Sequence, residues 1–329
     1  MLHLDRMPRI SVLCVALALS ACDDGGVDPM DSGSVRAGDG GRVDRADGGR
    51  DPLPGDASIA DAAAREDGAV GEDAAVREDA GASPFVPYLA EDFESYADGT
   101  RLSGVVFGSA GRTTASAEQA ARGERSAQMA IASGDGGGFG RWGGIVSIDP
   151  PLEAGAEIWV RLDVYWPSGF EFSASPWMKF LRLHSRFESR ENGGYNDLYI
   201  DQADGPTSVL RTIKEIHNRW EVYDGAPIPR DRWERYEMYL SIDDRSVDEG
   251  GGGRVRIWRD GELIFDRTDV PTIPDAGGDI DAFYLFTYWN NERPPDNHCF
   301  VDDLVIATSA SPPPGRDPDG HVFIGDWRP

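Results

Sequence analysis

From Pro84 onward the chain alternates apolar and polar residues with a period of two, the spacing of β-strands that bury one face. In "EIWVRLDVYW", Ile158, Val160, Leu162, Val164 and Trp166 fall on one side, and Trp159, Arg161, Asp163 and Tyr165 on the other. In "WERYEMYLSI", Tyr236, Met238, Leu240 and Ile242 oppose Trp233, Arg235, Glu237, Tyr239 and Ser241. "RVRIW" repeats the pattern, and the Asp-Gly of the following "RDGEL" predicts a tight turn into another strand. Glycine-rich breaks at "SGDGGGFG" and "DEGGGG" separate further runs, and no stretch carries the period of a long amphipathic helix. The pattern predicts an all-β, antiparallel two-sheet sandwich over residues 84–310 with one polar, aromatic-studded face. A C-terminal tail, 311–329, begins within "SASPPPGRDPDG", and the pattern leaves open whether "HVFIGDWRP" packs back on the sandwich.

Before Pro84 the alternation disappears. Residues 22–83 are largely Asp, Gly, Ala and Arg, while all nine tryptophans lie beyond them. Such a segment cannot bury enough apolar surface to offset its ordering entropy, so a disordered linker is expected. Its near-repeats "REDGAV", "GEDAAV" and "REDAGA" are too short and polar for a solenoid, and their aspartates lack the alternating spacing of calcium loops. As a flexible coil, this length spans on the order of 40 to 50 Å.

Residues 1–21 have the layout of an export signal: Arg6 and Arg9, the apolar run "ISVLCVALAL", then small residues. The run is too short to cross a bilayer as a helix. The closing "LSAC" resembles the lipobox of bacterial lipoproteins. That resemblance implies cleavage before Cys22, acylation of Cys22, and anchoring in the cell envelope, with the outer membrane as the expected site. Asp23 resembles an inner-membrane retention signal of some lineages. With Cys14 in the cleaved segment and Cys22 lipidated, Cys299 is the one remaining thiol, which excludes an internal disulfide or a cysteine zinc site. The net charge of −26 argues against a nucleic-acid partner.

Three stretches of the strand-rich region resemble the concanavalin A-like lectin and glucanase superfamily, a jelly roll of two curved sheets. They are "EDFESYADGT", "WERYEMYLSIDD" with the following "GRVRIWRDGELIFD", and "FYLFTYWNN" with "CFVDDLVIATS". The resemblance implies a sugar-binding concave sheet. It also implies a structural calcium ion shared by Glu94 of the opening strand and Asp302 or Asp303 of the closing one, with hard oxygen ligands.

One strand stands out for its chemistry. "WMKFLRLHSR" places Lys179, Arg182, His184 and Arg186 in an otherwise acidic chain. Alternation puts Trp177, Leu181 and Leu183 inward, and Phe180, Arg182, His184 and Arg186 outward. The candidate groove joins them to Trp159, Arg161 and Tyr165, to Asp197 and Tyr199 of "NDLYID", and to Tyr284, Tyr288 and Asn290 of "FYLFTYWNN". Aromatic rings stack on sugars, while Arg and Asn hydrogen-bond hydroxyls or carboxylates. The competing explanation is ordinary cross-strand packing and Arg–acid pairing on a solvated face.

The first reading is therefore a surface-displayed glycan-binding module. The alternative is a polysaccharide lyase, which needs a carboxylate neutraliser, a base for the C5 proton and an acid for the leaving oxygen. Arg182 or Arg161 suits the first role, His184 or Tyr288 the second, and a tyrosine the third. A glycoside hydrolase fits less well, because no "E-x-D-x-x-E" strand supplies paired carboxylates. A structural envelope protein is the third class. Absence of "GxSxG", "HExxH" and a phosphate-binding glycine loop gives no support to an organic cofactor or to other nucleophilic chemistry.

Overall fold

Strands follow where the alternation predicts them. The computed structural model describes residues 84–108, 111–132, 143–172, 177–201, 209–214, 219–289 and 296–328. The signal segment, Cys22, the linker and Asn290 lie outside these residues, as do the side chains of Trp177 and Tyr288.

In chain order the strands are β1 (Leu89–Glu91), β2 (Thr114–Ser116), β3 (Ser126–Ile131), β4 (Gly144–Glu153), β5 (Glu157–Tyr165), β6 (Trp177–Arg186), β7 (Asn192–Asp201) and β8 (Val209–Lys214). They continue as β9 (Arg219–Val222), β10 (Trp233–Ser241), β11 (Arg254–Arg259), β12 (Glu262–Arg267), β13 (Asp279–Trp289), β14 (Asn297–Thr308), β15 (Gly315–Arg316) and β16 (Val322–Phe323). Among the described residues the helical content is one turn of 3-10 helix, Val247–Glu249. An eight-stranded antiparallel sheet runs β12-β11-β10-β5-β14-β3-β2, with β1 also on β14, and a six-stranded one runs β4-β13-β6-β7-β8-β9. The fold is the two-sheet jelly-roll sandwich that the alternation and the resemblance predict.

The core lies between the sheets and is built from the residues that alternation assigns to it. Ile158, Val160, Leu162, Val164 and Trp166 of the β5 segment and Tyr236, Leu240 and Ile242 of the β10 segment are all 0% exposed. The six-stranded sheet faces them with Leu181, Leu183, Leu198, Phe283 and Leu285. Burying each such side chain contributes about 1.5–3 kcal/mol, which is how a sandwich with no disulfide among its described residues is held together. Cys299 is part of the same core.

Phe180 departs from the expectation. It is core, not outward, because the β6–β7 register shifts between Lys179 and Leu181 and so turns both Phe180 and Leu181 inward. β13 carries a matching irregularity between Leu285 and Tyr288, where Phe286 adopts φ 48°. The two extra residues meet: the rings of Phe180 and Phe286 stack at 4.9 Å, 13° apart, against Trp166. A bulge inserts one residue and thereby resets which face the rest of a strand presents.

The far face of the eight-stranded sheet is not the open aromatic face expected from alternation. Trp159, Tyr239 and Trp258 form a second apolar cluster with Ile324, and Val322, Phe323 and Trp327 of the tail pack against it. Trp159 Nε1 donates to Val322 O (3.0 Å), and Trp258 Nε1 donates to Asp317 Oδ2 (2.9 Å). Arg161 donates to Gly325 O (3.0 Å) and to Trp327 O, and Glu237 accepts the N–H groups of Ile324 (2.5 Å) and Gly325 (3.1 Å). The tail therefore packs back on the sandwich, its main chain satisfied by buried sheet side chains.

Candidate functional site

The cationic strand β6 lies between β13 and β7, and its register decides what the cations meet. Toward β7, Lys179 faces Tyr199, Arg182 faces Asp197, and His184 faces Tyr195. Toward β13, Lys179 faces Tyr288, Arg182 faces Tyr284, and His184 faces Ala282. Directly opposed residues of an antiparallel pair lie close enough for their side chains to touch, so three strands deliver one polar, aromatic cluster.

Arg182 is its centre. Nε donates to Asp197 Oδ1 at 2.5 Å, and the guanidinium carbon sits 3.5 Å from the Tyr195 ring centroid, a cation–π geometry. Both members of the ion pair are 1% exposed, so the charge of Arg182 is matched inside the sheet. His184 lies beside two tyrosines, 4.8 Å from the Tyr195 ring and 5.6 Å from the Tyr284 ring, and those two rings meet edge-on at 5.4 Å. Nδ1 of His184 donates to Asp281 Oδ1 (2.6 Å), and Nε2 lies 3.2 Å from Asn192 Oδ1. Arg186 Nε donates to the other oxygen of Asp281. At the opposite end, Lys179 Nζ stands 5.8 Å from the Tyr199 ring centroid.

The local electrostatics separate the proton-bearing groups. Burial raises the Tyr284 phenol above its ordinary value, and the Asp281 charge adds to this against the pull of Arg182 and Arg186. Burial also opposes ionisation of Asp281, but hydrogen bonds and charge from His184 and Arg186 outweigh it and hold the carboxyl below its usual range. The arrangement offers a phenol that keeps its proton, an imidazole beside it, and cations on either side.

Of the expected groove residues, Arg182, His184, Arg186, Tyr199 and Tyr284 share this sheet, with Tyr288 at an adjacent register position. Trp159, Arg161 and Tyr165 do not join them, because β5 runs in the other sheet. Trp159 and Arg161 are buried under the tail, and Tyr165 sits between Trp233 (5.6 Å) and Phe300 (6.1 Å). Asp281, Tyr195 and Asn192 are absent from the expected set. Tyr195 is in phase with Asp197 and Tyr199, so extending the alternation two residues back finds it. Asp281 is hidden by a register shift between Ile280 and Ala282.

A second collection of arginines carries less. Arg122, Arg235 and Arg328 line a cleft of about 270 Å³ with Trp233 on the other sheet. Each is already paired with an acid: Arg122 with Asp303, Arg235 with Asp163 and Asp326, Arg328 with Asp163 and Asp303.

Glu94, Asp302 and Asp303 do not fit the calcium ion that the resemblance implies. Glu94 Oε1 accepts the N–H groups of Glu124 and Arg125, both at 2.9 Å. Asp302 accepts those of Ala121 (2.8 Å), Arg122 (3.3 Å) and Asp303 (2.8 Å). Asp303 receives Arg122 through Nε (3.0 Å) and Nη2 (2.9 Å), a fork that occupies both oxygens. Among the described residues, the group of three or more His, Cys or carboxylate side chains that comes within ligand distance is Asp317, Asp319 and His321. There Asp317 is spent on Trp258, His321 and the local backbone, which makes it the anchor of the tail.

No protein-family model matches the chain, and no curated protein matches it. Solved structures do. A mutant of the alginate lyase Aly36B in complex with an alginate trisaccharide shares 18% identity, covering 67% of this chain and 97% of its own, with a TM-score of 0.52. An endo-β-1,4-glucuronan lyase from the fungus Trichoderma reesei shares 12% identity over 68% of this chain and 95% of its own, with a TM-score of 0.47. The alginate lyase vAL-1 from Chlorella virus shares 14% identity over 62% of this chain and 93% of its own, with a TM-score of 0.44. The first likeness is one of fold.

Proposed function

We propose that the sandwich is a polysaccharide lyase that cleaves uronate-containing glycans by β-elimination. The observation that carries this reading is the single-sheet cluster of Arg182, His184, Tyr195 and Tyr284, with Lys179 and Arg186 at its ends. Elimination requires that the uronate carboxylate be neutralised so that its C5 proton becomes acidic, that a base remove that proton, and that an acid protonate the departing oxygen. Lys179 at one end of the cluster and Arg186 at the other, its side chain 35% exposed, suit the neutralising role, whereas the charge of buried Arg182 is already matched by Asp197. His184 suits the base, as does Tyr288 at the register position opposite Lys179. Tyr284, whose phenol is held in its protonated form, suits the acid. The fold is shared with an alginate lyase bound to an alginate trisaccharide, which makes a polyuronate the substrate class to try first.

A binding module without chemistry is the second reading. It is favoured by the charge match of Arg182 with Asp197 and by the engagement of both His184 ring nitrogens. The two are separated by offering polymannuronate, polyguluronate, glucuronan and neutral glycans while following the ultraviolet absorbance of unsaturated product. A rise that His184→Ala abolishes supports the lyase. A flat trace with glycan binding intact leaves the module.

Export and anchoring belong to the same proposal. The "LSAC" segment supports acylation at Cys22 and display from the outer membrane, with residues 22–83 holding the sandwich off the lipid surface. Cys22→Ser is expected to abolish fatty-acid labelling and release the protein from the membrane fraction.

A further inference from the structure

The carboxylate of Asp281 joins two residues of the neighbouring strand, and the lyase reading does not require it. Ile280 pairs with Ser185 and Ala282 with His184, so Asp281 is the extra residue of the bulge between those two registers. In a regular ladder a side chain faces one partner. A bulged residue sits between two, and here one oxygen reaches His184 Nδ1 while the other accepts from Arg186 Nε. The Asp281 side chain is 14% exposed and that of His184 is 6% exposed, so water competes little for the bond. Asn192 stands on the other side of the ring, its Oδ1 fixed by the Gly194 N–H (2.9 Å) and lying 3.2 Å from Nε2.

We propose, resting on the lyase reading, that Asp281 is a positioning residue: it commits Nδ1–H of His184 to itself, ties the ring to Arg186, and so leaves Nε2, whose hydrogen points at Asn192 Oδ1 in the resting site, as the ring atom that exchanges Asn192 for the glycan and sheds that hydrogen before it acts as base. A carboxylate that holds one imidazole nitrogen decides which tautomer and which edge the ring presents. Asn192 is then the residue that yields its place when a sugar arrives, and Arg186 shares the carboxylate so that imidazole and guanidinium are set at a fixed spacing. The bulge is the device that lets one side chain do both.

The test uses the full chain labelled with ¹⁵N-histidine, whose five histidines are few enough to resolve, with His184→Gln identifying the signal of interest. The wild-type protein is expected to give a deshielded, slowly exchanging Nδ1–H resonance for His184. Asp281→Asn should shift it and speed its exchange, and Asp281→Glu should restore it in part. An unchanged resonance in Asp281→Asn overturns the proposal. Should that variant fail to fold, Asp281→Glu decides alone, since a longer side chain must displace the resonance if Asp281 is its partner. With a polyuronate as substrate, Asp281→Asn should lower kcat by about tenfold or more with KM little changed. A rise in KM at constant kcat overturns the positioning role. If the wild-type protein turns over no polyuronate, the lyase reading fails, and the hold of Asp281 on His184 is still decided by the resonance.

Discussion

Arg182 and Asp197 face each other directly across β6 and β7, Nε to Oδ1 at 2.5 Å, with both side chains almost wholly removed from water. Removing one member of a buried pair leaves the other's charge uncompensated, which costs about 3–5 kcal/mol, whereas replacing both by apolar groups costs far less. Asp197→Ala is therefore expected to lower the urea midpoint strongly, and Arg182→Met combined with Asp197→Leu to recover most of it. A double variant as unstable as the single one would mean that the pair holds the sheet through contacts other than its charges.

Stability of the sandwich should fall as pH rises from 5 to 8. Burial raises Glu237 to about 7, from an ordinary 4.5, against the hydrogen bonds from Ile324 and Gly325. Burial and the neighbouring Asp303 raise Asp302 to about 7, from 3.8. A carboxyl raised in the folded state binds its proton more tightly there than in the unfolded chain. Its contribution is complete below the unfolded value and is lost as pH climbs through the folded one. Every tenfold difference in proton affinity between the two states is worth about 1.4 kcal/mol. The Tm should therefore drop across that interval, and Glu237→Gln with Asp302→Asn should flatten the profile. A wild-type Tm that rises from pH 5 to 8 contradicts this assignment.

How much of this is legible in the sequence depends on whether a strand keeps its phase. β5 and β10 alternate without interruption, so Ile158 to Trp166 and Tyr236 to Ile242 declare their inward faces directly. β6 and β13 do not, and what alternation misplaces or overlooks, Phe180 and Asp281, lies at their bulges. Which strands share a sheet is a different kind of information. Nothing in the side chains of β5 says that Trp159 and Arg161 lie across the core from Arg182, because pairing depends on distant segments and on the order in which they stack. The segment "HVFIGDWRP" lacks a strand pattern for a related reason: much of its hold comes from side chains of the sheet bonding its main chain, and main-chain groups are the same in every sequence.

Chelation should leave the Tm unchanged. The oxygens of Glu94, Asp302 and Asp303 accept from backbone amides and Arg122, a donor set that performs the cross-linking a calcium ion would supply. Arg122→Ala, in contrast, should destabilise the fold modestly, on the order of 1 kcal/mol, since its side chain is 47% exposed and Arg328 also serves Asp303. A chelator that lowers the Tm by more than this substitution would mean that a metal ion holds those carboxylates in solution.

Truncation after Gly320 should do the most damage for the fewest residues. The segment removed covers Trp159 and Trp258, supplies the carbonyls that Arg161 bonds, and supplies the amides that Glu237 accepts. Arg161 and Glu237 are buried in the sheet, so losing these partners leaves polar groups short of hydrogen bonds, at about 1–3 kcal/mol each and more for charged ones. Exposed tryptophan surface adds to the loss. The shortened chain is expected to bind a hydrophobic dye and to melt well below the parent. The six-stranded sheet that carries Arg182 and His184 packs against the other face of β5, so glycan binding at low temperature should persist. Loss of binding at a temperature where the truncated protein keeps its far-ultraviolet strand signal would place part of the glycan site under the tail instead.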